Sequence, residues 1–97
     1  MAKRSAQRKG RVEFKFRTEP HKSVFVAGTF NNWCPTDKKL KEDGDGIYNI
    51  DVQLPVGQHE YKFVVDDVWH IDPENPNQVL NDCGSLNSRI TVGGMMQ

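Results

Sequence analysis

Two segments near the start of the chain carry the hydrophobic patterns of β-strands. From Val12 to Arg17, apolar and charged residues alternate one by one, as they do in a strand that buries one face and exposes the other. From Ser23 to Gly28 the run is β-branched and aromatic, with no polar break after its first residue. We therefore expect this second strand to be more central and buried on both faces.

Turn signals divide the middle of the chain into further strands. Residues 42–46 contain two Asp-Gly pairs, a strong short-range hairpin signal, and the alternating segment 47–52 follows them directly. Residues 55–57, Pro-Val-Gly, form a second predicted turn. The pattern predicts a hairpin at the first turn and a new strand after the second.

The strand predicted over residues 59–66 has two faces of different chemistry. Tyr61, Phe63 and Val65 fall on one face, whereas Lys62 and Val64 fall on the other. The first face is typical of a core. A short strand from 68 to 71 follows the Asp-Asp turn at its end.

The last third of the chain contains a rigid loop and a final strand. Two prolines within Asp72–Asn77 remove backbone donors and restrict the residues before them, so we expect no strand there. The final strand is predicted near Asn87 to Val92. Six or seven short strands without any helical period indicate an all-β fold, an antiparallel immunoglobulin-like β-sandwich.

The length of 97 residues predicts one domain. Its N-terminal end is basic, because five of the first eleven residues are basic and none is acidic: Lys3, Arg4, Arg8, Lys9 and Arg11. We expect a flexible basic arm over 1–10, the β-sandwich domain over 11–93 and a flexible tail over 94–97. The arm could meet phosphates or anionic lipid, but no aromatic residues are interleaved with its charges. A solvated arm is the favoured interpretation, and nucleic-acid binding is disfavoured.

The number of cysteines and the distribution of apolar residues indicate the cellular compartment of the protein. No run of about eighteen apolar residues exists, and the N-terminus lacks the apolar region of a signal peptide. Cys34 and Cys83 are too few for a disulfide framework and have no zinc-like spacing, so both are expected to be free thiols. These features predict a cytoplasmic protein without membrane association.

The chain offers little that resembles catalytic chemistry. Its three histidines are scattered without a second ligand at metal-binding spacing: His21, His59 and His70. Asp66, Asp67 and Asp72 could flank a glycosidic bond, but their positions in turns favour capping roles. We expect a protein that is not an enzyme and holds no metal or cofactor.

Two tryptophans depart from the strand alternation. Trp33 follows a turn-like Asn-Asn pair, and Trp69 lies just past the Asp-Asp turn. Large apolar side chains at such positions are either plugs at the corners of the sandwich or an exposed binding surface. Position alone leaves these two interpretations equal.

Polar residues near the tryptophans favour a sugar site. The flat C–H face of a glucose ring can lie on an indole, while its hydroxyls need donors and acceptors at the rim. Lys62 offers three donors, and the Ser85 hydroxyl and the Asn87 amide follow Gly84 in the chain. Without the tryptophans, Lys62 would be interpreted as an ordinary solvent-facing lysine.

The sequence also resembles a known family between Val24 and Val92. The resemblance is clearest in four stretches: Gly28-Thr29-Phe30-Asn31-Asn32-Trp33, Gly57-Gln58-His59-Glu60-Tyr61-Lys62-Phe63, Trp69 with Asp72-Pro73, and Gly84-Ser85-Leu86-Asn87. Together these are similar to the glycogen-binding domain of AMP-activated protein kinase β subunits, a carbohydrate-binding module of the family 48 type.

The resemblance implies a sandwich that binds α-1,4-linked glucans and cyclodextrin-like mimics. It implies stacking of sugars on Trp33 and Trp69 and hydrogen bonds from Lys62 and Asn87, while Ser85 keeps the hydroxyl of a family threonine. Cys83 stands where mammalian members present a leucine that reaches into the ring of the glucan.

Two hypotheses from different classes follow. The first is a non-catalytic module that binds glycogen, starch, malto-oligosaccharides or β-cyclodextrin and targets a host kinase, phosphatase or glucan-processing enzyme to them. The alternative is a protein-interaction domain of a kinase β-subunit-like regulatory protein with weak or lost glucan binding, for which Cys83 is the best support. The region through which kinase β subunits hold their partners is not in this sequence.

Overall fold

The computed structural model describes residues 9–93, which form nine β-strands and one 3-10 turn. The strands are β1 Lys9–Arg17, β2 Val24–Gly28, β3 Lys38–Lys39, β4 Lys41–Glu42, β5 Ile47–Pro55, β6 Gly57–Val65, β7 Val68–His70, β8 Gln78–Leu80 and β9 Leu86–Val92, and the 3-10 turn is Thr29–Asn31. The all-β prediction is confirmed. Among residues 9–93, no helix is long and apolar enough to cross a membrane.

The strands form two antiparallel sheets. The smaller sheet has the order β1-β5-β4, and the larger has the order β3-β2-β6-β9-β8, with β7 also paired to β6. β5 and β6 are consecutive but belong to different sheets, so the turn at 55–57 carries the chain from one layer to the other. Gly57 adopts φ 135° in this turn, a conformation that residues with a Cβ avoid.

The core lies between the sheets and is dominated by aromatic rings from β1 and β6. Phe14 and Tyr61 have ring centroids 4.9 Å apart, as do Phe16 and Phe63. All four side chains are buried. The alternation predicted for both strands is therefore confirmed, because each strand places every second residue in the core.

The second predicted strand, β2, is buried as expected. Val24, Val26 and Ala27 have no exposed surface, and Phe25 is partly buried. β2 has hydrogen-bonded neighbours on both edges, namely β3 and β6. This central place explains why its sequence lacks a polar break.

Three features differ from the pattern-based expectation. β1 begins at Lys9 rather than Val12, and Lys9 pairs with Pro55. β3 and β8 are strands that the sequence did not predict, because segments of two and three residues carry no measurable period. Of the predicted arm, only Lys9 and Gly10 are described, as the first residues of β1. Residues 1–8 and the predicted tail 94–97 lie outside the described residues.

The proline-containing loop between β7 and β8 contains no strand, as predicted, and is fastened by a buried tyrosine. The Tyr61 hydroxyl donates to Asp72 Oδ2 at 2.7 Å and accepts from Asn75 Nδ2 at 3.0 Å. Asn75 Nδ2 also donates to the Arg89 carbonyl at 3.0 Å. Burial raises the pKa of Tyr61, and the hydrogen bond to Asp72 acts in the same direction, because both favour the protonated hydroxyl.

A two-residue turn joins β6 to β7, so that β7 pairs antiparallel with β6. Asp66 and Asp67 both have positive φ, 47° and 69°, as required for the tight turn that matches strand twist. Asp66 Oδ1 accepts from the Ser23 amide at 2.9 Å, and its other oxygen pairs with Lys22 at 3.3 Å. The Ser23 hydrogen bond, with Lys22 in support, holds the pKa of Asp66 below its usual value.

Candidate functional site

A groove of about 320 Å³ lies on the outer face of the larger sheet. Its lining residues come from β6, β7, β9 and the loops beside them: Thr29, Trp33, Glu60, Lys62, Trp69, Asn81, Asp82, Cys83 and Asn87. Five of the six candidate residues from the sequence lie in this lining. The sixth, Ser85, contacts one of the five, since its Oγ accepts from Lys62 Nζ at 3.2 Å.

Trp69 is presented on β7 by the cross-strand register of the sheet. It pairs directly with Val64 of β6, and directly opposed residues share a face of the sheet. Val64 and Lys62 occupy the β6 face that points away from Tyr61 and Phe63, so Trp69 stands on the outer face. Trp69 as a whole residue remains 44% exposed, which is high for a residue of this size.

Trp33 is presented by a turn with unusual backbone geometry. Asn32 and Trp33 have φ values of 55° and 57°, in the left-handed region. Such a residue costs about 1–2 kcal/mol relative to the right-handed form. The surrounding turn holds it there: the Trp33 amide donates to the Gly28 carbonyl at 2.9 Å, and Asn31 Oδ1 accepts from the Gly28 amide at 2.9 Å. Strain at a half-buried tryptophan beside a groove is typical of functional sites.

Gly28 allows this turn to lie close to β6. A Cβ atom at this position would overlap the Glu60 carbonyl oxygen and the Phe30 ring. The glycine therefore lets β2 end directly against the strand that carries Lys62, and this brings the Trp33 turn to the edge of the groove.

The polar side chains of the groove form a continuous hydrogen-bonded chain. Lys62 donates to Ser85 Oγ, Asn81 Nδ2 donates to Ser85 Oγ at 2.8 Å and to Asn87 Oδ1 at 3.2 Å, and Asn87 Nδ2 donates to Glu60 Oε1 at 2.9 Å. Asn87 lies within β9, in agreement with the final strand predicted near Asn87 to Val92, and it is only 5% exposed. A buried amide held at both ends has a fixed orientation.

Four groove residues were not identified from the sequence. Glu60 precedes Lys62 by two positions in the same strand, so the period of two could have placed both on one face. Thr29 follows directly on β2, and its hydroxyl accepts from the Glu60 amide at 3.3 Å. Asn81 and Asp82 carry no pattern that reveals their place, because β8, which precedes them, was itself not predicted.

The carboxylates and histidines considered from the sequence lie outside the groove. Asp66 and Asp72 have the turn and loop contacts described above, in agreement with the capping interpretation, and Asp67 is exposed in its turn. No histidine is among the residues that line the groove. Within residues 9–93, no three potential metal ligands cluster. Both cysteines belong to this described part and neither is paired, with Cys83 exposed at the groove.

The chemistry of the groove suits an uncharged polar ligand with flat apolar faces. Two indoles supply apolar area, and Lys62 is balanced by Glu60 and Asp82 rather than joined by further cations. A phosphate ligand would gain from several cations or a cluster of free backbone amides. A neutral sugar needs instead a platform with hydrogen-bonding groups around it.

Comparison with known families decides the class. Residues 10–96 match the family described as the glycogen recognition site of AMP-activated protein kinase. The chain belongs to this family. It is therefore a member of a group of carbohydrate-binding modules, and every candidate residue from the sequence lies within the matched range.

Relatives of the chain include kinase subunits and chloroplastic plant proteins. The human 5'-AMP-activated protein kinase subunit beta-2 is 40% identical over 75 residues, which is 77% of this chain and 26% of the relative. The chloroplastic protein PTST homolog 2 of Arabidopsis thaliana is 36% identical over 69 residues, covering 71% of this chain and 12% of the relative. The chain thus spans about a quarter or less of these curated relatives.

Solved structures with a similar fold include an esterase. The enterochelin esterase of Shigella flexneri superposes with a TM-score of 0.70 over 93% of this chain and 32% of its own, at 16% identity. At this identity the likeness concerns the sandwich fold alone.

Proposed function

We propose that the chain is a non-catalytic module that binds α-1,4-linked glucans and holds its host protein to them. Glycogen, starch, malto-oligosaccharides and β-cyclodextrin share the ligand chemistry. The observation that carries the proposal is a groove in which two tryptophans lie beside a set of hydrogen-bonded polar side chains. The chain also belongs to a glycogen recognition family.

In this proposal the two indoles provide the surface on which the sugar chain stacks. Trp69 is exposed to solvent on β7, and Trp33 is half-buried in the turn that follows β2. A ligand that spans both covers more apolar area than one indole offers. This arrangement favours several linked glucose units over a free monosaccharide.

The polar side chains select the sugar by its hydroxyls. Lys62 keeps donors beyond the one used on Ser85, because its ammonium group has three. Asn87 keeps one N–H and one lone pair after its bonds to Glu60 and Asn81. Cys83 is exposed at the rim and would meet the ligand as a small apolar contact.

The absence of catalysis in this proposal rests on the placement of the carboxylates. Glu60 lines the groove but is engaged with the Asn87 amide, and Asp82 lies on an exposed turn. Hydrolysis of a glycosidic bond requires two carboxyl groups, about 5–10 Å apart in a cleft that flanks the bond, one as acid and the other as base or nucleophile. The open groove offers a surface rather than such a cleft.

The host and its compartment are further parts of the proposal. A kinase is one candidate host because relatives are named as kinase beta subunits, and a phosphatase or a glucan-processing enzyme would use the same module. The cytoplasmic location stays a prediction, since two plant relatives are named as chloroplastic.

Calorimetric titration with maltoheptaose and a pull-down on insoluble glycogen test the proposal. The wild-type protein should bind both, and Trp69→Ala should weaken binding by about 1–3 kcal/mol, as expected for truncation of an aromatic anchor. Val68→Ala is the matched control, because Val68 is exposed on the same strand and does not line the groove. A folded wild-type protein that binds neither glucan would contradict the proposal.

The second candidate function is a protein-interaction domain that has lost most glucan binding. Cys83 favours it, because a small side chain at the rim offers little area to the ligand. This candidate predicts that the folded protein fails the glucan tests and that the module by itself still binds a subunit of its host complex.

A further inference from the structure

Asn81 is the first residue of the loop between β8 and β9. The hydrogen bonds described for its side chain go to this loop and to β9. Its Oδ1 accepts from the amides of Cys83 at 2.9 Å and Ser85 at 3.0 Å. Its backbone amide donates to the Ser85 carbonyl at 2.8 Å, and its carbonyl accepts from Gly84 at 3.1 Å. Residues 82–85 are exposed, so their shape depends on this half-buried asparagine.

The same side chain fixes the hydrogen-bonding direction of Ser85. A hydroxyl has two lone pairs and one proton. The two lone pairs of Ser85 Oγ face donors, namely Asn81 Nδ2 at 2.8 Å and Lys62 Nζ at 3.2 Å. The hydroxyl proton is therefore left to donate to an acceptor oxygen outside this chain of bonds.

Asn87 is oriented in a similar way from both ends. Its Oδ1 accepts from Asn81 Nδ2, and its Nδ2 donates to Glu60 Oε1. Rotating the amide by half a turn would place two donors against each other at Asn81 and two acceptors against each other at Glu60. Hydrogen-bond donation thus runs in one direction, from Asn81 to Asn87 and from Asn87 to Glu60.

We propose that Asn81 is a positioning residue of the glucan groove, which shapes the loop bearing Cys83 and presets Ser85 as a donor and Asn87 in one amide orientation. This inference rests on the proposed function. It goes beyond that function because Asn81 acts through its neighbours and organises the rim on which ligand affinity depends. Groups that are already oriented bind without a further ordering cost.

The test compares Asn81→Ala with Asn81→Asp in calorimetric titrations with maltoheptaose. Asn81→Ala removes both the acceptor and the donor and should weaken affinity about tenfold, the effect of losing one or two well-placed hydrogen bonds. Asn81→Asp keeps the acceptor for the Cys83 and Ser85 amides but meets the Asn87 oxygen with a second acceptor. It should restore the loop and only part of the affinity. Asn77→Ala is the control, because Asn77 is exposed and does not line the groove.

Hydrogen exchange supplies a readout that does not depend on ligand. The amides of Cys83 and Ser85 should lose protection in Asn81→Ala and keep it in Asn81→Asp. A double-mutant cycle gives a third measure: Ser85→Ala should cost much less affinity in the Asn81→Ala background than in the wild type, because the two side chains act together.

The outcomes separate this inference from the proposed function. A wild-type protein that binds no glucan contradicts the proposed function itself. If the wild type binds, two results would overturn the positioning role alone. The first is an Asn81→Ala variant whose affinity lies within about twofold of the wild type. The second is a double-mutant cycle in which Ser85→Ala reduces affinity by the same factor with and without Asn81→Ala, because the two side chains would then act independently. If Asn81→Ala does not fold, Asn81→Asp decides by itself, because full recovery of affinity would show that the amide donor has no part in binding.

Discussion

Trp33 combines a strained backbone with a large side chain at the groove. Its left-handed conformation is one that glycine adopts without cost and that tryptophan adopts only when its surroundings hold it. The side chain is half-buried, whereas Trp69 is 44% exposed. The two indoles therefore differ in how far they contribute to folding, and in the proposed function both also contact the glucan.

Replacement of Trp33 by alanine and by glycine separates these contributions. Both changes should weaken glucan binding by about 1–3 kcal/mol, because both remove the indole. The glycine variant should be more stable than the alanine variant by about 0.5–1 kcal/mol, since glycine tolerates the positive φ. Titration with β-cyclodextrin and thermal melts provide the two measurements. Normal binding together with a loss of several kcal/mol of stability would identify the indole as a corner plug.

Cys83 tests whether the loop after β8 meets the ligand. Cys83→Leu adds apolar area at an exposed position of the rim, and should strengthen binding to β-cyclodextrin by about 1 kcal/mol. Cys83→Ser, which keeps the size of the side chain, should produce no gain. Equal affinity of the leucine and serine variants would place the ligand away from this loop.

The turns and loops between strands decide where the groove residues lie. The two-aspartate turn sends β7 back along β6, and the loop over 71–77 leads the chain towards β8. Each is held by specific contacts: Lys22 and the backbone amide of Ser23 hold the turn, and the Tyr61 hydroxyl holds the loop. Changes at these anchors should act on one connection rather than on the entire fold.

Tyr61→Phe should loosen the loop between β7 and β8. The change removes the donor to Asp72 and the acceptor for Asn75, at a cost of about 1–2 kcal/mol of folding stability. Hydrogen exchange should increase at residues 72–77. Tyr48→Phe serves as the comparison, because the Tyr48 hydroxyl bonds the Glu19 carbonyl and the Lys22 amide in the connection between β1 and β2 instead of the loop. Unchanged exchange in the loop of Tyr61→Phe would refute the anchoring role.

Asp66→Asn should remove a pH-dependent part of the stability. The Ser23 amide, assisted by Lys22, lowers the folded-state pKa of Asp66, so the ionised carboxylate favours folding at pH values above its unfolded pKa of about 3.9. The advantage of the wild type over the variant should be complete near neutral pH and disappear as pH falls through the lower folded-state pKa. Thermal melts from pH 7 to about pH 2 measure it. Equal stability of the wild type and Asp66→Asn at every pH would contradict the assignment.

Charge is divided unevenly over the whole molecule. The sequence as a whole is neutral, yet five basic residues lie among the first eleven. The groove lies on the outer face of the larger sheet, whereas Lys9 and Arg11 belong to β1 in the smaller one. A neutral sugar gains little from remote charges, which salt also screens.

Deletion of residues 1–8 should therefore leave glucan affinity within about a factor of two at both low and high salt. Deletion of residues 1–10 should in addition lower stability, because Lys9 and Gly10 pair with Pro55 and Leu54 at the start of β1. Titrations of both truncations against maltoheptaose, with thermal melts, make the comparison. A large, salt-sensitive loss of affinity in the shorter deletion would show that the first eight residues belong to the site.

The sequence by itself determined the sandwich and much of its core. Alternation in β1 and β6 predicted the burial of Phe14, Phe16, Tyr61 and Phe63, because a strand that covers a core must turn every second side chain inward. The turn residues predicted the hairpin before β5 and the bare loop after β7. Trp33, Lys62 and Trp69 were identified as candidates through their chemistry and their resemblance to a family, and their binding roles stay predictions.

Only the tertiary structure decided which residues share the groove. Glu60, Asn81 and Asn87 come from two strands and a loop separated by up to 27 positions, and their hydrogen bonds depend on the pairing of β6 with β9. β8 is too short to show a period, so the position of Asn81 could not be read locally. The left-handed backbone of Trp33 is likewise set by contacts of Gly28 and Asn31. Local pattern fixes which face a residue occupies, whereas the neighbours across strands depend on register and on the turns that set it.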